Sequence, residues 1–194
     1  LLEYIKVQPW SNGSIGMNGA SYMGITGLLA GAQEDPAVKA IFAIVPMGDA
    51  YRDIVFTGGQ INAGFIPLWV TLVTGLGIIP TPAGLDNGEP GYYLTTLLQH
   101  LQGALTEFQV PVVAGALIGD ENKYDTEFWR IRSPLEQIDK ITAPTFVVGG
   151  LNDIFQRGEP LIYEGLKDHT TAKLLIGPWA VSYTHLTLPT MRTV

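Results

Sequence analysis

The segment Gly16-Met-Asn-Gly19-Ala-Ser21-Tyr22-Met-Gly24 sets a single hydroxyl among glycines, after a short strand candidate and before a small-residue helix candidate. A serine held on a sharp strand-to-helix turn can act as a nucleophile on an acyl carbon. Small neighbours let the turn close, and the side chain then stands above the edge of the sheet. The backbone N–H of the next residue, Tyr22, points into the same space and can stabilise an oxyanion. The helix N-terminus adds a favourable dipole for that charge. The second glycine, Gly24, comes one residue later than in the G-x-S-x-G pattern. The same residues also fit a glycine-rich strand-to-helix turn with an ordinary N-cap serine.

Other chemistry is thinly represented. The absence of cysteine excludes thiol catalysis, disulfides and Cys-bearing zinc sites. The three histidines, His100, His169 and His185, have no metal-ligand spacing, so no metal is expected. His169, near a helix end, is expected to cap carbonyls, and His100 to occupy a surface or pocket position. Glu107, Asp125 and Glu127 show no spacing that would suit a glycosidase carboxylate pair. Lys and Arg total 11 against 18 Asp and Glu, a net charge of −7 with no basic cluster. Nucleic acid is therefore not an expected partner.

These residues must be positioned by a folded domain. Of the 194 residues, 46% are hydrophobic and 15% charged, against a usual charged share of about 25%. That composition excludes a disordered chain. The 23 Gly and 13 Pro follow no period, which excludes collagen-like and low-complexity classes. Leu1–Trp10 reads as the end of an amphipathic helix. Ser14–Gly19 reads as a strand, Tyr22–Gln33 as a helix, and the β-branched run Val38–Val45 as a buried strand. Strand–helix–strand in so short a span is a βαβ unit, hence a parallel sheet. The rhythm returns with a strand at Thr145–Val148, a helix over Gly158–Lys167 and a strand at Lys173–Ile176.

Between these halves the pattern changes. Residues 50–130 read as a mostly helical insertion, with helices over Tyr92–Phe108 and around Asp120–Trp129 and a Pro/Gly-rich linker over Pro80–Gly91. Residues 54–85 carry no charge, but Pro67 and Pro80 leave only 12 residues between them. A membrane span needs about 20, so a buried or pocket-lining segment is expected and no membrane span. Phe65, Trp69, Tyr92 and Tyr93 are expected in the core of the insertion, with an apolar pocket as the alternative. Asp49 with Tyr51-Arg52-Asp53 is expected as a solvated loop, the alternative being a salt-bridged edge of the site.

The stretch Trp10–Gly24 resembles the nucleophile region of the cocaine esterase / X-Pro dipeptidyl-peptidase (CocE/NonD) family, whose elbow reads Gly-x-Ser-Tyr-x-Gly. Three further segments agree in order. Tyr124–Pro134 resembles the return from a helical cap, Ile141–Phe155 the acid-bearing strand and loop, and Leu175–Trp179 the lead-in to the catalytic histidine. The resemblance covers roughly 1–180. It implies an α/β-hydrolase fold, a mostly parallel sheet with a helical cap insertion, the N-terminal strands missing. The corresponding division is 1–49 core with the elbow, 50–130 cap, 131–180 return to the core, and 181–194 a non-native tail.

The same resemblance implies a Ser-Asp-His triad, with Ser21 as nucleophile, Tyr22 N–H as oxyanion donor and Asp153 as the acid that orients the histidine. Taken alone, Asp153 also fits a solvated turn. The family pattern has His directly after Gly-Pro-Trp-x; here Val181 follows Gly177-Pro-Trp-Ala180. His185 is not expected to substitute for it, and residues 181–194 resemble no hydrolase segment. The family's second oxyanion donor, a Tyr on an early loop, is expected upstream of Leu1, and the chain is expected to begin within a longer protein. The 194-residue chain is accordingly expected to be nearly inactive. The implied activity is hydrolysis of a carboxylic ester or amide through an acyl-enzyme at Ser21, without a cofactor. Alternatives are an X-Pro dipeptidyl-peptidase-type exopeptidase and a non-catalytic binding module that has lost its base. The substrate would be a small-molecule ester, amide or peptide. Cytoplasmic and exported locations both stay open.

Overall fold

The structure, a computed structural model, describes residues 1–180. Val181 and His185 lie outside the described residues. The chain divides into two compact units, Leu1–Ile54 with the chain from Trp129 on, and Val55–Phe128.

The first unit is built on a parallel sheet of four strands in the order β1-β2-β3-β4: β1 Ile15–Ala20, β2 Val38–Ile44, β3 Thr145–Gly150 and β4 Ala172–Gly177. All four fall on the strands expected from the sequence, Ser14–Gly19, Val38–Val45, Thr145–Val148 and Lys173–Ile176. Registers match Ala20 to Ile44, Ile44 to Val148, and Gly150 to Gly177, so the C-terminal ends of the strands share one edge. The N-terminal turn of helix, α1 (Leu2–Lys6), is shorter than expected and buries none of its residues, although Leu2 packs against the core.

The crossover helix α2 (Tyr22–Gly31) packs on β1 and β2. Its Leu28 joins Val38, Ile41 and Ala43 of β2, Val147 of β3, and Ile141 in one buried cluster. Ile162 and Leu166, from the helix Gly158–Leu166 that packs on β3 and β4, belong to the same cluster. Parallel sheets are generally covered on both faces. Here Lys39 and Lys173 are exposed, and Phe42 and Phe146 meet at 5.3 Å between ring centroids only partly buried.

The second unit is helical: α3 Ile66–Ile78, α4 Ala83–Asp86, α5 Pro90–Thr106 and α6 Gln109–Ile118. A short α7, Glu127–Arg130, returns the chain to the sheet, and the helix Gly158–Leu166 is α8. Two expectations need correction here. The uncharged stretch is not buried: α3 buries none of its residues, and Leu68, Leu72 and Leu76 are exposed. It does line a cleft of about 610 Å³ with α6, formed by Val70, Thr74, Ile78, Val110, Val113 and Leu117. Ile66–Asp86 spans 21 residues with mean hydropathy 1.5, long and apolar enough by composition to cross a membrane, with 11% of that window buried. Of this stretch α3 covers only Ile66–Ile78 and ends before Pro80 and Pro82. The aromatic set does not form a core either: Phe65 stacks on Trp69, but Tyr92 is exposed.

Candidate active site

Ser21 sits at the hinge between β1 and α2, half-buried, with φ 55° and ψ −123°. A non-glycine residue in that region costs on the order of 1–3 kcal/mol and persists only where its surroundings enforce it. The enforcing contacts are visible. Ser21 N–H donates to the Ile44 carbonyl at 2.8 Å, and the Ser21 carbonyl accepts from Ile25 at 3.0 Å. The strain has a neighbour in Val45, one residue past β2, at φ 44°, whose N–H donates to Val148 O at 2.7 Å. Two unfavourable backbones thus stand at adjacent strand ends.

The late glycine is explained by packing. A Cβ on Gly24 would stand 2.9 Å from the Gly19 carbonyl oxygen and 3.3 Å from that of Ile44. One on Gly19 would stand 2.5 Å from the backbone carbonyl carbon of Met23. The first turn of α2 therefore lies directly on the end of β1. Tyr22 is the first residue of α2, so its N–H has no intrahelical acceptor. Its side chain is exposed, as is that of Met23.

Asp153 lies on the loop after β3 and is buried, which excludes the solvated-turn reading. Its Oδ1 accepts from Phe155 N–H at 2.7 Å. Leu151 and Asn152, just before it, donate their N–H groups to Gly177 O at 2.8 Å and Trp179 O at 3.2 Å. The loop that carries Asp153 is thus laced to the segment leaving β4. The strands that lead to Ser21 and Asp153, β1 and β3, end at the same edge of the sheet with β2 between them, two strand spacings or roughly 10 Å apart.

The remaining histidines lie elsewhere. His169 Nε2 is 3.2 Å from the Ile141 carbonyl, so it does meet a carbonyl, but one far along the chain rather than that of its own helix. His100, exposed on α5, has Nδ1 3.3 Å from Ile78 O. Among the described residues no cluster of His, Asp and Glu is arranged to hold a metal ion.

Two features differ from the expectations or were not among them. Asp49 and Asp53 are buried and ion-paired, which corrects the solvated loop and agrees with the salt-bridged part of its alternative. Asp49 pairs with Arg52 at 2.6 Å, while Asp53 Oδ2 accepts from the N–H groups of Gly48 and Asp49 at 2.8 and 2.7 Å. Asp53 Oδ1 pairs with Arg157, the residue that opens α8, at 2.5 Å. The chain leaving β2 is thereby tied to the end of the acid loop. Asp53→Asn keeps an oxygen for the two N–H groups but loses the ion pair, and is expected to cost about 2 kcal/mol in urea denaturation. The second feature is Glu159, in the first turn of α8 and fully buried. Its Oε2 accepts from Gly150 N–H at 3.0 Å. Burial, then the charge on Asp153, push its carboxyl up to about 8 against the opposing pull of that hydrogen bond, and Asp53 adds to the rise. A signal existed in Gly149-Gly150: a Cβ on Gly149 would collide with Glu159 Oε2, and one on Gly150 with Trp179 O.

A parallel sheet with a strained serine ending one strand and a buried aspartate beyond the next but one is the arrangement of an α/β-hydrolase. The family model for X-Pro dipeptidyl-peptidase (S15 family) matches residues 1–183, and the chain belongs to that family. The family is described as a peptidase and a relative of the chain as an esterase, and both point to a hydrolase. Cocaine esterase of Rhodococcus sp. (strain MB1 Bresler) is 26% identical over 193 residues, covering 93% of this chain and 33% of the relative. The chain thus spans about a third of the length of that relative. Among solved structures, a CocE/NonD family hydrolase of Staphylococcus aureus superposes with TM-score 0.59 at 21% identity, over 90% of this chain and 26% of that one. An aminopeptidase of a marine sediment Thaumarchaeota archaeon gives TM-score 0.62 at 20% identity, over 93% and 31%. At these identities the structures speak for the fold alone.

Proposed function

We propose that the protein is a serine hydrolase that cleaves a carboxylic ester or amide through an acyl-enzyme at Ser21. The observation that carries this reading is the strained backbone of Ser21, held by Gly19, Gly24 and Ile44 at the edge the sheet shares with buried Asp153. Ser21 Oγ adds to the carbonyl carbon as a histidine, at the position this chain fills with Val181, takes its proton. The Tyr22 N–H stabilises the oxyanion, and Asp153 holds the histidine in the correct tautomer. Collapse expels the alcohol or amine, protonated by the same histidine, and water then releases the acid. The helical unit Val55–Phe128 is the candidate cap that selects the acyl or amine portion of the substrate.

The base decides the test. The family pattern puts it at position 181, where this chain has Val. The 194-residue chain is expected to react at most very slowly with a fluorophosphonate, and Val181→His is expected to raise that rate at least tenfold. In the V181H background, Ser21→Ala should abolish labelling and Asp153→Asn should lower its rate about 10²-fold or more, since a triad acts as a unit. Labelling that survives Ser21→Ala would remove Ser21 from the mechanism. If V181H labels no faster than the original chain, the non-catalytic binding-module reading gains.

A second reading is exopeptidase release of X-Pro dipeptides, favoured by the description of the matching family. Faster turnover of an Ala-Pro-anilide than of a phenyl ester by the V181H chain would favour it over the esterase.

A further inference from the structure

We propose that Glu159 is the positioning residue of the acid loop: its carboxyl, gripping the N–H of Gly150 at the end of β3, fixes where Asp153 stands. This rests on the reading of Asp153 as the acid of the site. Three observations on the geometry support it. Glu159 is fully buried, which a glutamate almost never is unless a partner holds it. It reaches back from α8 to the residue where β3 becomes the loop, at 3.0 Å. The two glycines ending β3 leave room for this arrangement, Gly149 for the carboxyl itself and Gly150 for Trp179 O and for Asp153 Cβ, the latter 3.1 Å from where a Cβ would stand. Gly150 is thus gripped by Glu159 from one side while Leu151 and Asn152 are held by Gly177 and Trp179 from the other.

The ionisation state suits the task. Charged groups reach Glu159 from two directions, Asp153 from its own loop and Asp53 from the segment after β2, while Arg157 is engaged with Asp53. Lys173 on β4 and Glu136, Asp139 and Lys140 on the turn Pro134–Lys140, the other elements packed on α8, are exposed to solvent. Oε1 is buried with no hydrogen-bond partner among the described residues. With its carboxyl pushed up to about 8, Glu159 is mainly a neutral acid at pH 7. It can hold Gly150 without placing a second negative charge beside Asp153.

The test is amide hydrogen exchange in the 194-residue chain at pH 6, comparing Glu159→Ala, Glu159→Gln and Gly149→Ala. The last displaces the carboxyl without deleting it. Glu159→Ala and Gly149→Ala are expected to speed exchange at Gly150, Leu151 and Asn152 at least tenfold while Ile41 and Val45 on β2 and its end stay within threefold. Glu159→Gln, isosteric with the neutral acid, should restore protection to within threefold. Unchanged loop exchange, or equal acceleration over the whole sheet, would overturn the proposal. In the V181H background, fluorophosphonate labelling should slow at least tenfold with Glu159→Ala and recover with Glu159→Gln. A loosened loop with unchanged labelling would also overturn the positioning role. Should the V181H chain itself fail to label, the hydrolytic reading falls instead, and the exchange pattern still decides whether Glu159 holds the loop.

Discussion

Between pH 5 and pH 8 the chain is expected to lose most of about 5 kcal/mol of folding stability, and Glu159→Gln to flatten that decline. The Glu159 carboxyl sits at about 8 in the folded protein against an ordinary 4.5. Below 4.5 the group is protonated in both states and contributes no pH dependence. As the pH rises past 4.5 the unfolded chain releases its proton first and the folded chain keeps it. The unfolded state then binds fewer protons, so stability falls as pH rises, and the fall ends once the folded group also ionises near 8. At about 1.36 kcal/mol per pH unit, 3.5 units give the figure above. The residue has no exposed surface, and the figure is the upper limit that the full shift allows. Asp35 acts in a different window. Its carboxyl is held below its ordinary value first by the Ala37 N–H and then by Lys6, so its contribution is lost only as pH falls through the acid range. Urea midpoints of the wild type and Glu159→Gln at half-unit steps of pH check this. Parallel curves from pH 5 to pH 8 would show that Glu159 ionises freely in the fold.

Gly24→Val is expected to cost at least about 4 kcal/mol, enough to unfold a marginal domain. The new Cβ would meet two backbone oxygens, those of Gly19 and Ile44, and backbone cannot swing aside as a side-chain tip can. Moving α2 away would release Leu28, which is fully buried against the sheet. Gly19→Ala belongs to the same class, since its Cβ would meet the backbone of Met23. Gly16→Ala, on the same strand, meets nothing within 4 Å and should stay within about 0.5 kcal/mol of the wild type. Chemical denaturation of the three variants checks the ranking. A Gly24→Val chain as stable as Gly16→Ala would mean that α2 is not seated on β1 as described.

Both predictions depend on close approaches between segments distant in sequence, which local pattern records only indirectly. The two central strands were readable because β-branched apolar runs between Gly and Pro have few other uses, and Val38–Val45 and Thr145–Val148 are such runs. The serine turn was readable because only glycines permit it. Its spacing made sense only in three dimensions, where Gly24 proves to face Gly19 and Ile44. Exposure in the helical unit was not readable. A helix apolar all round, such as α3, has no polar face to mark the solvent side, so its pattern cannot distinguish burial from a surface. The helix α6, with Pro111 and Gly115 inside it, carried no clear helical signal.

Sequence alone determined the order of the four strands and of the helices α2 and α8 between them, the hydroxyl at the bend and the aspartate after two glycines, because each is written in residues adjacent along the chain. Tertiary structure alone decided that Asp49 and Asp53 are buried, that Arg157 answers Asp53, and that Glu159 lies beneath the acid loop. A charged residue gives the same letter whether it faces water or another carboxylate. Its ionisation and its task are set by the desolvation and the neighbours that folding brings to it.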